Sequence, residues 1–195
     1  MGDSEQRHRL VVYGAGAVGK TCIIQRFLKK TFTDHYKQTV EDLHCRDYNI
    51  NGVSLKVDIL DTAGTMSFPA MRRLSIATGH GFLIIFSIDS SGSFEEAKQI
   101  WEQIKELRSN YQDLPCVIVG NKCDLETKRE VQYEDAQDWA RSEGMESAYM
   151  ETSAKLDRGI SDIFQKLLEQ AKIPEIRKLE PILKRRLSAN SANLS

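Results

Sequence analysis

Residues 9–21 have the sequence RLVVYGAGAVGKT, and this stretch decides the fold. Residues 9–13 form a short, largely apolar run, glycine-rich residues follow, and apolar side chains then recur at helical spacing over residues 20–30. The sequence therefore predicts a strand, a tight loop and a helix in succession. Between Gly14 and Thr21 the loop matches the pattern G-x-x-x-x-G-K-[ST], which in this strand-to-helix context predicts phosphate binding.

Phosphate binding by this loop has a direct physical basis. Glycines allow backbone N–H groups to turn inward around a phosphate, and the N-terminus of the following helix adds partial positive charge. The ammonium group of Lys20 is attracted to the outer phosphates of a nucleotide, and the hydroxyl of Thr21 is a suitable ligand for Mg²⁺. The alternative, a glycine-rich turn that only caps a helix, is disfavoured by the complete motif. The predicted nucleotide contacts in the loop are Gly14, Gly16, Ala17, Val18, Gly19, Lys20, Thr21 and Cys22.

The rest of the chain supplies further strands. Residues 53–59 alternate between apolar and polar side chains, and residues 43–50 form a second run. The dipeptide Asn51-Gly52 joins the two runs, and Asn-Gly between extended runs is the strongest short signal for a β-hairpin. Two other runs are almost continuously apolar, as parallel strands covered on both faces are: residues 82–88 and 116–119.

Helices are predicted between these strands. Apolar residues recur at helical spacing over residues 97–107 and 136–140, and the second of these helices ends near Gly144. A last helix begins near Asp157 and continues to about residue 171. The fold class is therefore predicted as α/β, with a mostly parallel six-stranded sheet, one antiparallel edge strand and helices on both faces.

Length and composition narrow the class of protein. The 195 residues suit one domain plus a tail, and 27 basic against 28 acidic residues give a net charge of −1, which argues against nucleic-acid binding. Four cysteines without a close pair, a charged start and the lack of an apolar run of about 18 residues predict a reduced, soluble, intracellular protein. We therefore expect a cytoplasmic location, with peripheral membrane contact or a partly nuclear location left open.

A carboxylate follows the alternating strand. Asp-Thr-Ala-Gly occupies residues 61–64, so Asp61 lies at the carboxyl end of a strand, beside the predicted phosphate loop. A carboxylate at that place is able to hold Mg²⁺ through a water molecule. In isolation the tetrapeptide is equally compatible with a structural turn, but its position after the third strand favours the metal role.

Two further motifs predict the choice of base. Asn-Lys-Cys-Asp at residues 121–124 ends a buried strand, and an aspartate there can accept hydrogen bonds from the N1–H and amino groups of guanine. Adenine offers no such pair of donors. Backbone N–H groups of residues 153–155, after another short strand, are suited to the guanine O6. The predicted base contacts are Asn121, Lys122, Asp124, Ser153, Ala154 and Lys155.

Together these motifs resemble the Ras family of small GTPases over residues 7–172. The resemblance implies a P-loop NTPase G domain that binds GTP or GDP with Mg²⁺. It also implies that Phe32 packs against guanine rather than only in the core, that Asp34 lies near the ribose, and that Thr39 completes the magnesium shell when GTP is bound. The implied γ-phosphate sensor is the Gly64 backbone N–H. The implied metal ligands are Thr21, Thr39 and Asp61.

Two segments resemble particular branches of the family. Thr-Val-Glu-Asp at residues 39–42 and Phe-Pro-Ala-Met-Arg-Arg-Leu-Ser-Ile at residues 68–76 are most similar to the Di-Ras and Dexras/Rhes branches. The predicted organisation is an N-terminal extension at residues 1–6, a G domain at residues 7–172, and a basic, then polar tail at residues 173–195.

Three sites in the domain depart from the common Ras pattern. Thr65 stands where most relatives carry the glutamine that orients the attacking water, and its side chain is too short for that task. We therefore expect slow intrinsic hydrolysis, helped in trans as the Rap branch is, with the predicted catalytic groups Lys20, Thr39, Gly64 and Thr65. Ala17 adds a methyl group to the loop, and Lys37-Gln38 replaces the usual Asp-Pro, so effector choice cannot be inherited from Ras.

The end of the chain departs most. Its last cysteine is Cys123, so the prenylated cysteine box of Ras proteins is lacking, and we predict no lipid anchor and at most weak membrane contact. Residues 172–187 contain six basic and two acidic side chains. Three interpretations stay open: a solvated tail, a segment whose apolar residues bind an interface or pack on the domain, and a kinase site at Ser188. The apolar residues in question are Ile176, Leu179, Leu183 and Leu187.

The sequence predicts a monomeric guanine-nucleotide switch. Its expected partners are effector proteins that bind around residues 39–42, an exchange factor and a GTPase-activating protein, and no nucleic acid. The rival hypothesis is a binding module that stays loaded with GTP and acts as a scaffold; Thr65 and Ala17 favour it, and the intact switch residues oppose it. A phosphate-loop kinase or adenine-dependent ATPase is disfavoured by the motif at residues 121–124.

Overall fold

The computed structural model describes residues 7–35, 37–50, 53–64 and 69–171. Within these residues the six strands of one sheet are β1 (Arg7–Tyr13), β2 (Glu41–Ile50), β3 (Val53–Thr62), β4 (Gly81–Ser87), β5 (Cys116–Asn121) and β6 (Tyr149–Glu151). The α-helices in the same residues are α1 (Lys20–Lys29), α2 (Pro69–Thr78), α3 (Ser91–Leu107), α4 (Tyr133–Ser142) and α5 (Ile160–Gln170). No helix of this described part is long and apolar enough to cross a bilayer.

The sheet has the predicted topology. Its strand order is β2-β3-β1-β4-β5-β6, and β2 is the single antiparallel strand, paired with β3 at one edge. The other neighbours pair in parallel. The predicted hairpin is confirmed by the pairing of Ile50 with Val53 across the turn. Because β1, β3, β4, β5 and β6 are parallel, their carboxyl ends, and the loops that follow them, meet at one edge of the sheet.

Helices cover both faces of the sheet, as predicted. In β4, Phe82, Ile84 and Phe86 face a core formed with α3, α4 and part of α2, whereas Leu83 and Ile85 face a core formed with α1 and α5. All five side chains are completely buried. Burial on both faces explains why β4 and β5 carry nearly continuous apolar runs instead of alternating ones.

One helix was not predicted, and one helix begins later than predicted. Helix α2 was not predicted, although Pro69 at its first position is a common start signal; only Ser75 and Ile76 of this helix are buried, so its apolar periodicity is weak. Helix α5 begins at Ile160 and not near Asp157, because Asp157 and Gly159 have positive φ values of 54° and 70°. The turn is closed by a bridge between Ser153 and Arg158.

Several sequence predictions concern residues that lie outside the described ranges. They include the extension at residues 1–6, the Asn51-Gly52 turn, Thr65 and the tail that contains Ser188.

Candidate nucleotide-binding site

The predicted phosphate loop follows β1 at the carboxyl edge of the sheet. Gly14 and Gly19 have φ values of +145° and +98°, and a Cβ at Gly19 would overlap the side-chain amide of Asn121. Ala17 also has a positive φ, 61°, and its side chain is exposed. The loop therefore needs glycine at two positions, for conformation and for close approach, and it tolerates the alanine at a cost of about 1 kcal/mol in backbone strain.

Lys20 points back into this loop. Its Nζ donates hydrogen bonds to the carbonyl oxygens of Gly14 and Ala15, each at 2.8 Å, and the residue is only 6% exposed. Burial lowers the pKa of the Lys20 ammonium to about 8, and the nearby Asp61 carboxylate partly opposes this change. A phosphate group bound in the loop would compensate this buried cation.

The three predicted metal ligands lie together. The Thr21 hydroxyl donates to Asp61 Oδ2 at 2.5 Å, and the Thr39 hydroxyl lies 2.9 Å from the Thr21 hydroxyl. Asp61 is fully buried, its Oδ1 has no hydrogen-bond partner, and burial raises the pKa of its carboxyl group.

These residues fit Mg²⁺. The orphaned oxygen of Asp61 and the hydroxyls of Thr21 and Thr39 are hard oxygen donors, and Mg²⁺ is usually held by one or two carboxylates together with phosphates and waters. Across the described residues, no group of three or more His, Cys, Asp or Glu side chains is arranged for a metal ion.

Gly64 closes the site from the end of β3. A Cβ at this position would lie 2.6 Å from the backbone nitrogen of Gly16, so only glycine allows the segment after Asp61 to rest on the phosphate loop. Thr65, the next residue, belongs to the residues that the structure does not describe.

At the base end, Asn121 connects three segments. Its Nδ2 donates to the Val18 carbonyl at 2.8 Å, and its Oδ1 accepts hydrogen bonds from the Thr152 hydroxyl at 3.1 Å and the Ala154 N–H at 3.3 Å. The side chain is buried. Asn121 therefore links the phosphate loop to the segment predicted to contact guanine O6. The sequence analysis did not single out Thr152.

Asp124 is oriented by its neighbours. Its Oδ1 accepts a hydrogen bond from the Ser153 hydroxyl at 2.6 Å, and the Ser153 oxygen accepts one from the Leu156 N–H at 3.0 Å. Lys122 has a positive φ of 64°, and its Nζ lies 3.7 Å from Asp89 Oδ1. The structure therefore brings the two predicted base-binding motifs into direct contact.

Arg26 was missed by the sequence analysis. This residue of α1 donates from Nε to the Ala154 carbonyl at 2.9 Å and from Nη2 to the Lys155 carbonyl at 3.0 Å. Its Nη1 donates to the Lys30 carbonyl at 3.1 Å, and its Cζ lies 5.6 Å from the centre of the Phe32 ring. One guanidinium thus contacts both the segment predicted to bind guanine O6 and the Phe32 ring predicted to pack against the base. No motif marks this residue, because its partners are backbone carbonyls, and those of Ala154 and Lys155 are distant in sequence.

The remaining predicted contacts lie at the rim. Phe32 is partly buried against the core that α1 and α5 form, whereas Asp34 and the Lys155 side chain are exposed. Cys22 Sγ lies 3.9 Å from the Thr33 carbonyl, and burial raises the pKa of its thiol.

Comparisons with known proteins decide the family. The model of the Ras family matches residues 9–173. This chain belongs to the Ras family. The Ras-family chain is 43% identical to "GTP-binding protein Di-Ras2" of Pongo abelii over 172 residues, which cover 88% of this chain and 85% of the relative.

Two other relatives give the same result. Identity to Di-Ras2 of Mus musculus is 42% over the same length, and identity to "GTP-binding protein Di-Ras1" of Homo sapiens is 42% over 168 residues, which cover 86% of this chain and 83% of that protein. The predicted similarity to the Di-Ras branch is therefore confirmed. Family membership also makes this chain, in general terms, a GTP-binding switch protein that converts GTP to GDP and phosphate.

Proposed function

We propose that this Ras-family protein binds GTP and GDP together with Mg²⁺, hydrolyses GTP slowly on its own, and acts as a switch in intracellular signalling. The observation that carries the proposal is the convergence of Thr21, Thr39 and Asp61, with one buried carboxylate oxygen unpartnered, beside a buried lysine in a glycine-rich loop. In a purely structural turn, a buried lysine and a buried carboxylate oxygen without a hydrogen-bond partner would cost stability without any gain.

Each residue has a distinct part in hydrolysis. Lys20 and the loop N–H groups would hold the outer phosphates and stabilise the negative charge that develops on them as water attacks the γ-phosphate. Thr21, Thr39 and Asp61 would hold Mg²⁺. When bound, this ion would neutralise charge on the β- and γ-phosphates. No covalent intermediate is required.

The switch itself would depend on Thr39 and Gly64. Thr39 is followed by Val40, which is 75% exposed, and by β2 at the antiparallel edge of the sheet. Met71 and Leu74 on α2 are also exposed. If Thr39 and Gly64 bind the metal and the γ-phosphate, loss of that phosphate releases both segments and alters this apolar surface. Effectors would recognise it around residues 39–42, and an exchange factor and a GTPase-activating protein would act on a monomeric, cytoplasmic protein with little membrane contact.

The expectation of slow hydrolysis depends on the identity of residue 65, which is threonine and not glutamine. A threonine hydroxyl cannot reach as far as the amide of glutamine, so Thr65→Gln should increase the single-turnover hydrolysis rate by about tenfold or more. Thr65→Ala is the matched control, because it removes the hydroxyl without adding an amide, and it should leave the rate within about twofold of wild type. A slower Thr65→Gln enzyme would show that this position acts in another way.

A second candidate function is a scaffold that stays loaded with GTP, and Ala17 favours it. Its methyl group is exposed beside the site, on backbone held at a φ of 61°. A methyl group there can exclude an arginine supplied by an activating protein.

The bound nucleotide separates these functions. The protein is purified, denatured and its released nucleotide identified by chromatography. GDP would support a switch that hydrolyses GTP, whereas GTP would favour the scaffold. An adenine nucleotide, or none, would contradict both.

A further inference from the structure

An apolar groove lies at the amino-terminal edge of the sheet, at the opposite end from the nucleotide site. Its volume is about 230 Å³. Tyr48 and Leu55 of the β2–β3 hairpin line one side, Leu168 and Ala171 at the end of α5 line the other, and Gly81 at the start of β4 lies between them. A smaller apolar cavity of ~150 Å³ accepts a benzene-sized molecule. The groove therefore has room for apolar side chains.

A small group of apolar residues lines the groove. Tyr48, Val57, Leu168 and Ala171 pack around Leu55, and all but Leu55 are only partly buried. Their apolar surface is therefore accessible to water in the described part of the chain. Covering such a surface with other apolar groups is favourable.

The chain itself leads to the groove. Ala171 lines it and is directly followed by residues 172–195. Pro174 lacks an N–H and disfavours helical backbone at Ile173, so the sequence opposes a straight continuation of α5. Between Ala171 and Ile176 the chain can extend by up to ~17 Å, which is enough to turn back across the groove.

The sequence of this segment suits an apolar surface. Ile176, Leu179 and Leu183 follow one another at spacings of three and four residues, with basic side chains at Arg177 and Lys178 between them. Two such side chains can therefore enter a groove on one side while the charged groups stay in water.

We propose that residues 173–183 bind this groove within the same molecule, with Ile176 and Leu179 inserted between the β2–β3 hairpin and α5. A segment tethered directly to the edge of its own binding site has an effective concentration in the mM range, so even a weak apolar contact is well populated. The contact also keeps the basic residues 184–186 beside the domain.

Two other occupants are less suitable. Residues 1–6 directly precede Arg7, and His8 lines the groove, but their sequence MGDSEQ offers a single apolar side chain. A second copy of the chain lacks the covalent tether that gives the tail of the same molecule a high effective concentration at the groove. Both occupants are distinguishable from the tail by experiment.

The test uses methyl NMR on the full-length protein as purified, with labelled Ile, Leu, Val and Met methyl groups. We expect nuclear Overhauser contacts between Ile176 or Leu179 and Leu55 or Leu168. Ile176→Ser/Leu179→Ser removes the tail methyl groups themselves, so its readout is the Leu55 and Leu168 resonances, which should shift as the groove loses its occupant. Arg177→Ser/Lys178→Ser is the matched control, since it changes two adjacent residues of the same segment and should retain the contacts.

A change in the groove supplies the complementary test. A Cβ at Gly81 would make only ordinary contacts, 3.5 Å from the Pro115 oxygen and 3.9 Å from Leu10, so Gly81→Met can fill the groove from within. We expect it to release the unaltered tail and abolish the same contacts. Methyl contacts within the buried core that contains Ile84, Ile100 and Ile104 report that each variant is folded.

The proposal is overturned if the wild-type protein gives no contact between tail and groove methyl groups. It is equally overturned if both serine pairs have the same effect. Contacts from Met1 to the groove would identify the N-terminal segment as the occupant, and contacts seen only between differently labelled molecules in a mixed sample would identify a second copy. If Gly81→Met does not fold, the two serine pairs alone decide.

Discussion

The base end and the phosphate end of the nucleotide site are stabilised in different ways. At the base end, Asn121 uses both polar atoms of its side chain within the protein, and Asp124 is oriented by Ser153. At the phosphate end, Lys20 is a buried cation with a lowered pKa, and one oxygen of Asp61 has no partner. The protein thus satisfies its own polar groups where it would select the base, whereas the phosphate end relies on the charges of its ligands.

This difference separates two effects of mutation. Changes at the base end should affect the folded protein even without nucleotide, because they break contacts within the chain. Changes at the phosphate end should weaken ligand binding more than they weaken the fold.

Gly19 belongs to both ends, and we expect its substitution to have the largest effect. Gly19→Ala combines a φ of +98° with an overlap on the Asn121 amide, so nucleotide affinity should fall at least about 100-fold, or ~2.7 kcal/mol. Gly144→Ala is the control, because Gly144 has a φ of +73° but open space around it. Gly144→Ala should lower the free energy of unfolding by about 1 kcal/mol and leave the nucleotide affinity unchanged. Titration with labelled GDP measures the affinity of each variant, and thermal unfolding measures its stability. Equal losses of affinity in the two variants would contradict the proposed overlap.

Asp61→Asn tests the phosphate end. The change removes a buried carboxylate but keeps an acceptor for the Thr21 hydroxyl, so the Mg²⁺ concentration needed to slow GDP release should rise about tenfold or more, ~1.4 kcal/mol. The stability of the nucleotide-free protein should change little, because relief from burying the Asp61 carboxylate is offset by the loss of its attraction to the buried Lys20 ammonium. Rates of GDP release at a series of Mg²⁺ concentrations give the Mg²⁺ dependence, and chemical denaturation gives the stability of the nucleotide-free protein. Unchanged Mg²⁺ dependence would exclude Asp61 from the metal site.

Arg26→Met tests the base end. Loss of its hydrogen bonds to Ala154 and Lys155 should accelerate GDP release about tenfold, ~1.4 kcal/mol, at every Mg²⁺ concentration. Arg108→Met is a matched control, because this half-buried arginine also donates to backbone carbonyls, those of Ile76 and Gly79, away from the site. It should lower thermal stability without changing release. Similar release rates in the two variants would mean that Arg26 has only a general structural role.

Tyr13→Phe should have the smallest effect. The Tyr13 hydroxyl lies 2.5 Å from the Ser75 hydroxyl, which links the strand before the phosphate loop to α2. Ser75 keeps its bond to the Met71 carbonyl, so the free energy of unfolding should fall by only about 1 kcal/mol near pH 8.

The same variant has a predictable pH dependence. Burial raises the pKa of Tyr13 to about 12, whereas an unfolded tyrosine titrates near 10. The folded protein then retains a proton that the unfolded chain releases, so the contribution of Tyr13 is complete below about pH 10 and is lost as the pH rises through about 12. The stability difference between wild type and Tyr13→Phe should shrink over this range. Denaturation curves at several pH values test it, and a difference that grows with pH would contradict the assignment.

Much of the site could be predicted from the sequence because its motifs are local. The spacing from Gly14 to Thr21 indicates a loop between strand and helix, and Asp61 and Asn121 each follow a recognisable strand. Parallel strands then bring these positions together without further information. The predictions that failed concern weak local signals: α2 buries only Ser75 and Ile76, so its helical pattern was not recognised.

The sequence by itself determined the fold class, the phosphate loop, the motifs for the base and the order of the strands, because each depends on residues close together in the chain. Only the tertiary structure decided that Asn121 and Arg26 use their side chains to connect segments distant in sequence, and that Asp61 retains an unpartnered oxygen. It alone revealed the groove beside α5. Such features depend on burial and on contacts with backbone carbonyls, and backbone carbonyls are the same in every residue, so no sequence pattern can mark them in advance.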